Sequence, residues 1–145
     1  MRIHPLITKS DDLKALTDRL AKQPFIAVDT EFMRENTYWP DLCLIQVASR
    51  EEAAAIDPKA DIDMKPLLEL FVNNMDVLKV FHAGGQDLEI IHNLTGKVPH
   101  PLFDTQIAAM ALEHDAVVHT ADADFLRFIG LRWFNPITQV GSSKR

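Results

Sequence analysis

Residues 25–33 read FIAVDTEFM, an apolar run that ends on two acids separated by a single residue. Four apolar residues in succession, Phe25 to Val28, are typical of a buried strand. Successive side chains of a strand alternate between its two faces, so Asp29 and Glu31 are expected to face the same side. The segment therefore predicts a strand that delivers two carboxylates into one cleft at its carboxyl end.

Strand and helix patterns alternate along the rest of the chain. Predicted strands cover 42–48, 53–56, 77–81, 117–118 and 131–134, and predicted helices begin at Ser10 and cover 64–73, 86–94, 104–113 and 124–129. This order predicts an α/β fold with a mixed, mostly parallel central sheet flanked by helices. We expect one domain over residues 1–140 and a disordered tail over 141–145.

Length and composition are those of one ordinary globular domain. The chain has 145 residues and a net charge of −6, and no apolar run approaches the roughly 20 residues that cross a membrane. The N-terminus lacks the apolar core of a signal peptide, so we expect a cytoplasmic protein. Lysine and arginine are scattered, which excludes a long basic track for nucleic acid and leaves only short, local contacts.

A third acid falls at the same predicted edge of the sheet. Asp87 follows the strand 77–81 and the turn beginning at His82, one turn into the next helix. Ligands bind beyond the carboxyl ends of strands in such sheets, and magnesium prefers carboxylate oxygens. Two ions about 4 Å apart can hydrolyse a phosphodiester, but they need three or four converging acids. The alternative is that these acids are only solvated, since an Asp-x-Glu triplet is common.

Several motifs, in order, resemble the ribonuclease D family of DEDD 3′–5′ exonucleases. They are FIAVDTEFMRENTYWPDLCLIQVAS at 25–49, IDP at 56–58, VFHAGGQDLEII at 80–91 and HPLFDTQIAAM at 100–110. The resemblance runs from about Ile7 to Met110. It implies a ribonuclease H-like sheet, two magnesium or manganese ions, and hydrolysis of RNA or single-stranded DNA from the 3′ end.

The resemblance also implies roles for individual residues. Asp29 and Glu31 match the acids of the first exonuclease motif, and Asp87 matches the acid of the second; all three would be metal-binding and catalytic. Asp104 matches a supporting residue rather than a metal ligand. Gly85 departs from the family, which often has arginine there to contact substrate phosphate. Three further residues would line the channel for the 3′-terminal nucleotide: Phe32, His82 and Gln86.

The family pattern stops after Met110. A third motif, Tyr-x-x-x-Asp, should supply the fourth carboxylate and a tyrosine, but the only tyrosine is Tyr38, far from the expected place. The segment IAAMALEHDAVVHTADADFLRF at 107–128, with GLRWFNPI after it, instead resembles the C-terminal β-α-β part of a PIN-domain ribonuclease. Its matching acids would be Asp104, Asp122 and Asp124. The chain is therefore expected to be a hybrid of the two families, PIN-like from about residue 104.

The same segment also resembles the histidine variant of DEDD exonucleases. His119 and Asp124 have its spacing, with His119 as general base and Asp124 as fourth metal ligand. This interpretation requires the strand at 117–120 to lie beside the first strand. The alternative is that His119 is a strand residue and Asp122 a helix N-cap, both without chemistry.

Three functional hypotheses follow from these observations. The first is a metal-dependent 3′–5′ exoribonuclease. The second is a PIN-like endoribonuclease that uses Asp104, Asp122 and Asp124 with Asp29. The third is an inactive α/β domain, for example a binding module, because the third motif is missing.

Overall fold

The structure, a computed structural model, describes residues 1–35, 38–121, 125 and 130–142. The predicted α/β class is confirmed. The elements in chain order are β1 (Arg2–Ile3), α1 (Ser10–Leu20), β2 (Phe25–Met33), β3 (Asp41–Ala48), β4 (Glu52–Ile56), α2 (Lys65–Asn73), β5 (Leu78–Phe81), α3 (Gly85–Thr95), β6 (Leu102–Asp104), α4 (Thr105–Glu113), β7 (Val117–His119), β8 (Arg132–Asn135) and β9 (Val140–Gly141).

The main sheet has six strands in the order β1-β4-β3-β2-β5-β6. Strands β2, β3 and β4 form an antiparallel meander, whereas β1 pairs with β4, and β5 with β2 and β6, in parallel. The sheet is therefore mixed, and three of its five strand pairs are parallel, as predicted. β2 lies inside the sheet, with neighbours on both sides.

One face of this sheet carries the larger hydrophobic core. The side chains of Ile26 and Val28 on β2 are buried in it with Leu16 of α1, Phe71 of α2 and Ile91 of α3. The intervening residues of β2 point to the other face. The prediction of a buried strand therefore holds for one face of β2, that of Ile26, Val28 and Thr30, whereas Ala27, Asp29 and Glu31 are exposed.

A second, smaller sheet forms from the C-terminal part of the chain. Strands β7, β8 and β9 make up a separate three-stranded sheet, with β7 parallel to β8 and β9 antiparallel to it. Trp133 of β8 packs with Ala108 and Ala111 of α4 in a second core cluster. The condition set for a histidine-type exonuclease site, that β7 lies beside β2, is therefore not met.

Residues 141 and 142, at the start of the predicted tail, contact the second sheet. Gly141 pairs with Phe134 in the second sheet, and the Ser142 backbone N–H donates to the Trp133 carbonyl at 2.8 Å. Those contacts place residues 141 and 142 in ordered structure. The rest of the predicted tail, 143–145, and the predicted helix at 124–129, except Phe125, lie outside the described residues.

Most predicted elements are confirmed to within a residue or two. Gly96 ends α3 in the left-handed conformation, with φ of 72°, as its position after the helix predicts. The prediction missed three short strands, β1, β6 and β9. In the parts of the chain that the structure covers, no helix has the length and apolar character needed to span a membrane.

The Lys79 side chain of β5 is fully buried. Its Nζ donates to the backbone carbonyls of Asn74 and His100, at 2.8 Å for the second. Burial disfavours the charged form and lowers the Lys79 pKa to about 8 from 10.5.

Because of this shift, we expect stability to rise with pH in the alkaline range. Between the two pKa values the unfolded chain holds a proton that the folded protein has released, so raising the pH favours folding. The free energy of unfolding should gain about 1.5 kcal/mol from Lys79 between pH 8 and 9.5. Urea unfolding across this range should show the rise, and Lys79→Met should lack that part of it. Equal pH slopes for both proteins would contradict the prediction.

Candidate functional site

The two acids of β2 lie where this strand extends beyond its neighbour. Register pairs join β2 to β5 only as far as Ala27 and Val80, so Asp29 and Glu31 lie past the last pair. Both are exposed on the open face of the sheet. On the other side of β2, the Gln46 side chain of β3 donates from Nε2 to Asp29 Oδ2 at 3.3 Å. The carboxylates therefore share one face, as the alternation predicts.

Asp87, in the first turn of α3, lies next to this part of β2. Its side chain is buried, and Oδ1 accepts a hydrogen bond from Thr30 Oγ1 at 2.6 Å. Burial raises the Asp87 pKa, the Thr30 hydroxyl opposes that rise, and the negative charge of Asp29 adds to it. Asp29 and Asp87 are thus close enough for one carboxylate to influence the other.

Thr30 was not predicted, although it stands between the two acids of the motif. Alternation along β2 puts its side chain on the buried face, opposite Asp29 and Glu31, and there its hydroxyl meets Asp87. A polar residue at a buried-face position of a strand is the signal that could have identified it. Thr30 therefore fixes the position of Asp87 relative to the other two acids.

The carboxylate oxygens of Asp29, Glu31 and Asp87 are ligands that a divalent cation prefers. In the described structure, however, these side chains do not surround a common point where a cation could bind. Among the described residues, no three His, Cys, Asp or Glu side chains are grouped so that they could hold a metal ion. Asp29 and Glu31 are exposed, whereas Asp87 is turned toward Thr30. Hard oxygen donors on adjacent elements suit magnesium or manganese. Cation binding would therefore require a rotation of the side chains and a further ligand or water.

Asp104 holds the turn before α3 in place. Its Oδ1 accepts from the backbone N–H of Ala83 at 3.1 Å, and its Oδ2 from that of Gly84 at 2.9 Å. It also caps α4, accepting from the N–H groups of Gln106 and Ile107. Burial by itself would raise the Asp104 pKa, but these backbone hydrogen bonds outweigh it, and the pKa lies below its ordinary value. The prediction that Asp104 caps α4 is confirmed.

His82 projects from the same turn with its ring oriented by Thr105. The His82 Nδ1 and Thr105 Oγ1 are 2.9 Å apart, and that hydroxyl also donates to the Phe81 carbonyl at 3.1 Å. A hydroxyl has one hydrogen, so the two bonds form together only if His82 donates from Nδ1. His82 and Gln86 are exposed and Phe32 is half-buried. Their role along a nucleotide channel stays a prediction.

The two glycines of the turn differ in the space around them. A Cβ at Gly84 would lie 2.6 Å from Phe81 Cβ, whereas nothing lies within 4 Å of one at Gly85. We expect Gly85→Ala to raise the free energy of unfolding by about 0.5 kcal/mol, because alanine restricts the unfolded chain and favours the helix. Gly84→Ala should lower it. Thermal melts of both variants test this, and a reversed order would contradict it.

An open cavity of about 560 Å³ lies on the face of the sheet that carries Asp29. Small apolar side chains form much of its floor, among them Ala27, Ala53 and Ala55. His82 and Asp29 also line it. A molecule that fills this cavity would therefore contact Asp29 and His82.

The remaining predicted site residues are not brought to this edge by the described structure. His119 is exposed on β7, in the second sheet, and its ring lies 5.2 Å from that of Phe134 between centroids. Asp122 and Asp124 lie outside the described residues. The structure thus brings together Asp29 and Asp87, with Glu31 on the same strand, and leaves the fourth ligand unassigned.

Comparison with known proteins identifies the family of the chain. A family model described as a 3′–5′ exonuclease matches residues 5–122. Ribonuclease D from Sphingobium indicum is 75% identical over 113 residues, and that from Zymomonas mobilis 70%, covering in each case 77% of this chain and 29% of the relative. The chain thus spans less than a third of the length of these relatives.

Two solved structures have a fold similar to that of this chain. Escherichia coli RNase D, described as an exoribonuclease involved in structured RNA processing, is 43% identical with a TM-score of 0.68, over 73% of this chain and 28% of that one. Brucella melitensis NrnC with bound Mg²⁺ shares the fold at 23% identity and a TM-score of 0.61, over 80% of this chain and 56% of that one.

Proposed function

Because the chain belongs to the 3′–5′ exonuclease family over residues 5–122, we propose that it hydrolyses RNA from the 3′ end with two divalent metal ions. The observation that carries the proposal is the placement of three acids where β2 extends past β5: Asp29 and Glu31 lie on that stretch of the strand, and Asp87 is hydrogen-bonded to Thr30 between them. Negative charges gathered there repel one another, and a bound cation would relieve the repulsion.

The proposed roles of the residues follow from their positions. Asp29, Glu31 and Asp87 bind magnesium or manganese, and Thr30 holds Asp87 in place through its 2.6 Å hydrogen bond. The ions, when bound, activate a water and stabilise the leaving oxygen. The substrate enters over the open face of the sheet, and there the exposed His82 and Gln86, with Phe32, contact the terminal nucleotide.

The fourth ligand and the base are proposed on the sequence pattern alone. Asp124 completes the metal site and His119 accepts the proton of the attacking water in this proposal. With β7 in the second sheet and not beside β2, the structure lends no support to His119 as the base, and this assignment rests on its spacing from Asp124. His119→Ala and Asp124→Asn variants test the two assignments separately.

A labelled RNA tests the proposed function. A 12-nucleotide single-stranded RNA labelled on its 3′-terminal nucleotide, incubated with manganese, should release labelled mononucleotide, and chelation by EDTA should stop the release. Intact label after incubation with manganese would contradict the proposal. A matched single-stranded DNA shows whether the 2′-hydroxyl is required.

The second candidate is an endoribonuclease with a PIN-like C-terminal segment in a hybrid chain. The separate second sheet is compatible with it, but the 3′–5′ exonuclease family model reaches residue 122, beyond the start of the PIN-like segment at about residue 104. Against it, the Asp104 carboxylate already accepts from four backbone N–H groups, which leaves it little capacity for a metal. Circular RNA separates the candidates, because only an endonuclease cuts a molecule without ends. The third candidate, an inactive binding domain, predicts no cleavage of either RNA.

A further inference from the structure

The hairpin between β2 and β3 exposes three large side chains beside the proposed site. Tyr38 is 80% exposed, Trp39 55% and Met33 54%. The two aromatic rings meet edge to face, with 4.8 Å between centroids and 87° between planes. Water contact with this much apolar surface is unfavourable, so the cluster suits a flat apolar ligand.

Arg34 holds this hairpin against α3. Its guanidinium donates to both carboxylate oxygens of Glu89, at 3.0 and 3.1 Å, and to the Tyr38 carbonyl at 3.1 Å. Glu89 is two residues after Asp87 on the same helix. The aromatic pair is therefore tied to the helix that carries one of the proposed metal ligands.

The strand register places the aromatic pair a short distance from the acids. Met33 pairs with Asp41, and Glu31 with Leu44, so Trp39 lies just beyond the last register pair of the hairpin. At about 3.3 Å per residue, the step from Glu31 to Met33 is roughly 7 Å. The cluster is thus within a few nucleotides of the proposed cleavage position.

We infer that Trp39, with Tyr38 at its edge, stacks on a base upstream of the 3′-terminal nucleotide, an inference that rests on the proposed function. Every base has an aromatic face, so such a site holds single strands of any sequence. The chain has a net charge of −6 and scattered basic residues, so phosphate attraction contributes little affinity. Arg34 is already paired with Glu89 and adds no net positive charge, so stacking is the main source of affinity in this inference.

Binding to a 5′-fluorescein-labelled hexaribonucleotide in EDTA tests the inference without cleavage. Trp39→Ala should weaken binding about ten-fold, whereas Trp39→Phe should retain most of it. Met75→Ala is the matched control, because Met75 is 59% exposed and lies outside the hairpin. Equal affinity of Trp39→Ala and the wild type, or no binding by the wild type, would overturn the inference.

A base-deletion series separates stacking from a structural role of Trp39. Abasic residues are placed singly at the second, third and fourth positions from the 3′ end. One of them should weaken wild-type binding about ten-fold and leave Trp39→Ala unaffected, because the lost contact is already absent. Independent, additive losses at every position would overturn the inference.

The outcomes for stacking and for catalysis are distinguishable. Selective abasic losses without manganese-dependent cleavage would refute the exonuclease and leave the stacking site. Cleavage with additive losses at every abasic position would refute the stacking site and leave the exonuclease.

Discussion

Asp29→Asn is expected to lower the rate of 3′-nucleotide release by about 100-fold or more. The substitution keeps the shape of the side chain but removes the negative charge and one oxygen ligand from the proposed metal site. Metal ions contribute several kcal/mol to such hydrolysis, and each 1.4 kcal/mol is ten-fold in rate. Initial rates with 3′-labelled RNA and manganese measure the effect.

The fold should tolerate this substitution. Asp29 is exposed. The hydrogen bond that its side chain accepts from the Gln46 side chain is long, at 3.3 Å. The melting temperature should therefore stay within a few degrees of the wild type. Asp61→Asn, at another exposed acid, is the matched control and should retain full activity. Equal activity of Asp29→Asn and the control would remove Asp29 from the mechanism.

Asp104→Ala is expected to lower the free energy of unfolding by about 3 kcal/mol. The variant loses the cap of α4 and leaves the backbone N–H groups of the turn before α3 without their acceptor. A lost helix cap costs about 1 to 2 kcal/mol, and unsatisfied buried donors add to that. Urea unfolding at pH 7 measures the change.

Two controls make this second prediction specific. Asp63→Ala removes an exposed acid that accepts from only one backbone N–H, that of Lys65, and should cost well under 1 kcal/mol. Asp104→Asn keeps a single acceptor oxygen and should be intermediate. Because the folded pKa of Asp104 is lowered, its stabilisation is present above the ordinary pKa of aspartate and is lost as the pH falls through the folded value. A loss no larger for Asp104→Ala than for Asp63→Ala would contradict the prediction.

The sequence predicts the local parts of the structure well. The apolar runs at β3, β4 and β5, the glycine after α3 and the aspartate before α4 each act through neighbouring residues, and each is where the pattern predicts it. The alternation in β2 likewise predicts that Asp29 and Glu31 share a face. These features depend on periodicity and capping, both of which are local.

The features that the sequence did not predict depend on contacts between distant residues. β1 and β6 are two and three residues long, too short for a periodic signal, and exist because β4 and β5 offer them an edge. The separate sheet of β7 to β9 depends on which strands pair with one another, and the local sequence pattern does not determine the partners of a strand. The bond between Thr30 and Asp87 joins residues 57 positions apart.

The central claim is that Asp29, Glu31 and Asp87 form one cation site, and a calorimetric titration with manganese tests it most directly. The wild type should release or absorb heat in a saturable manner, and the single variants Asp29→Asn, Glu31→Gln and Asp87→Asn should each weaken or abolish that binding. Asp61→Asn should bind as the wild type does. No saturable binding by the wild type, or binding unchanged in all three variants, would contradict the claim.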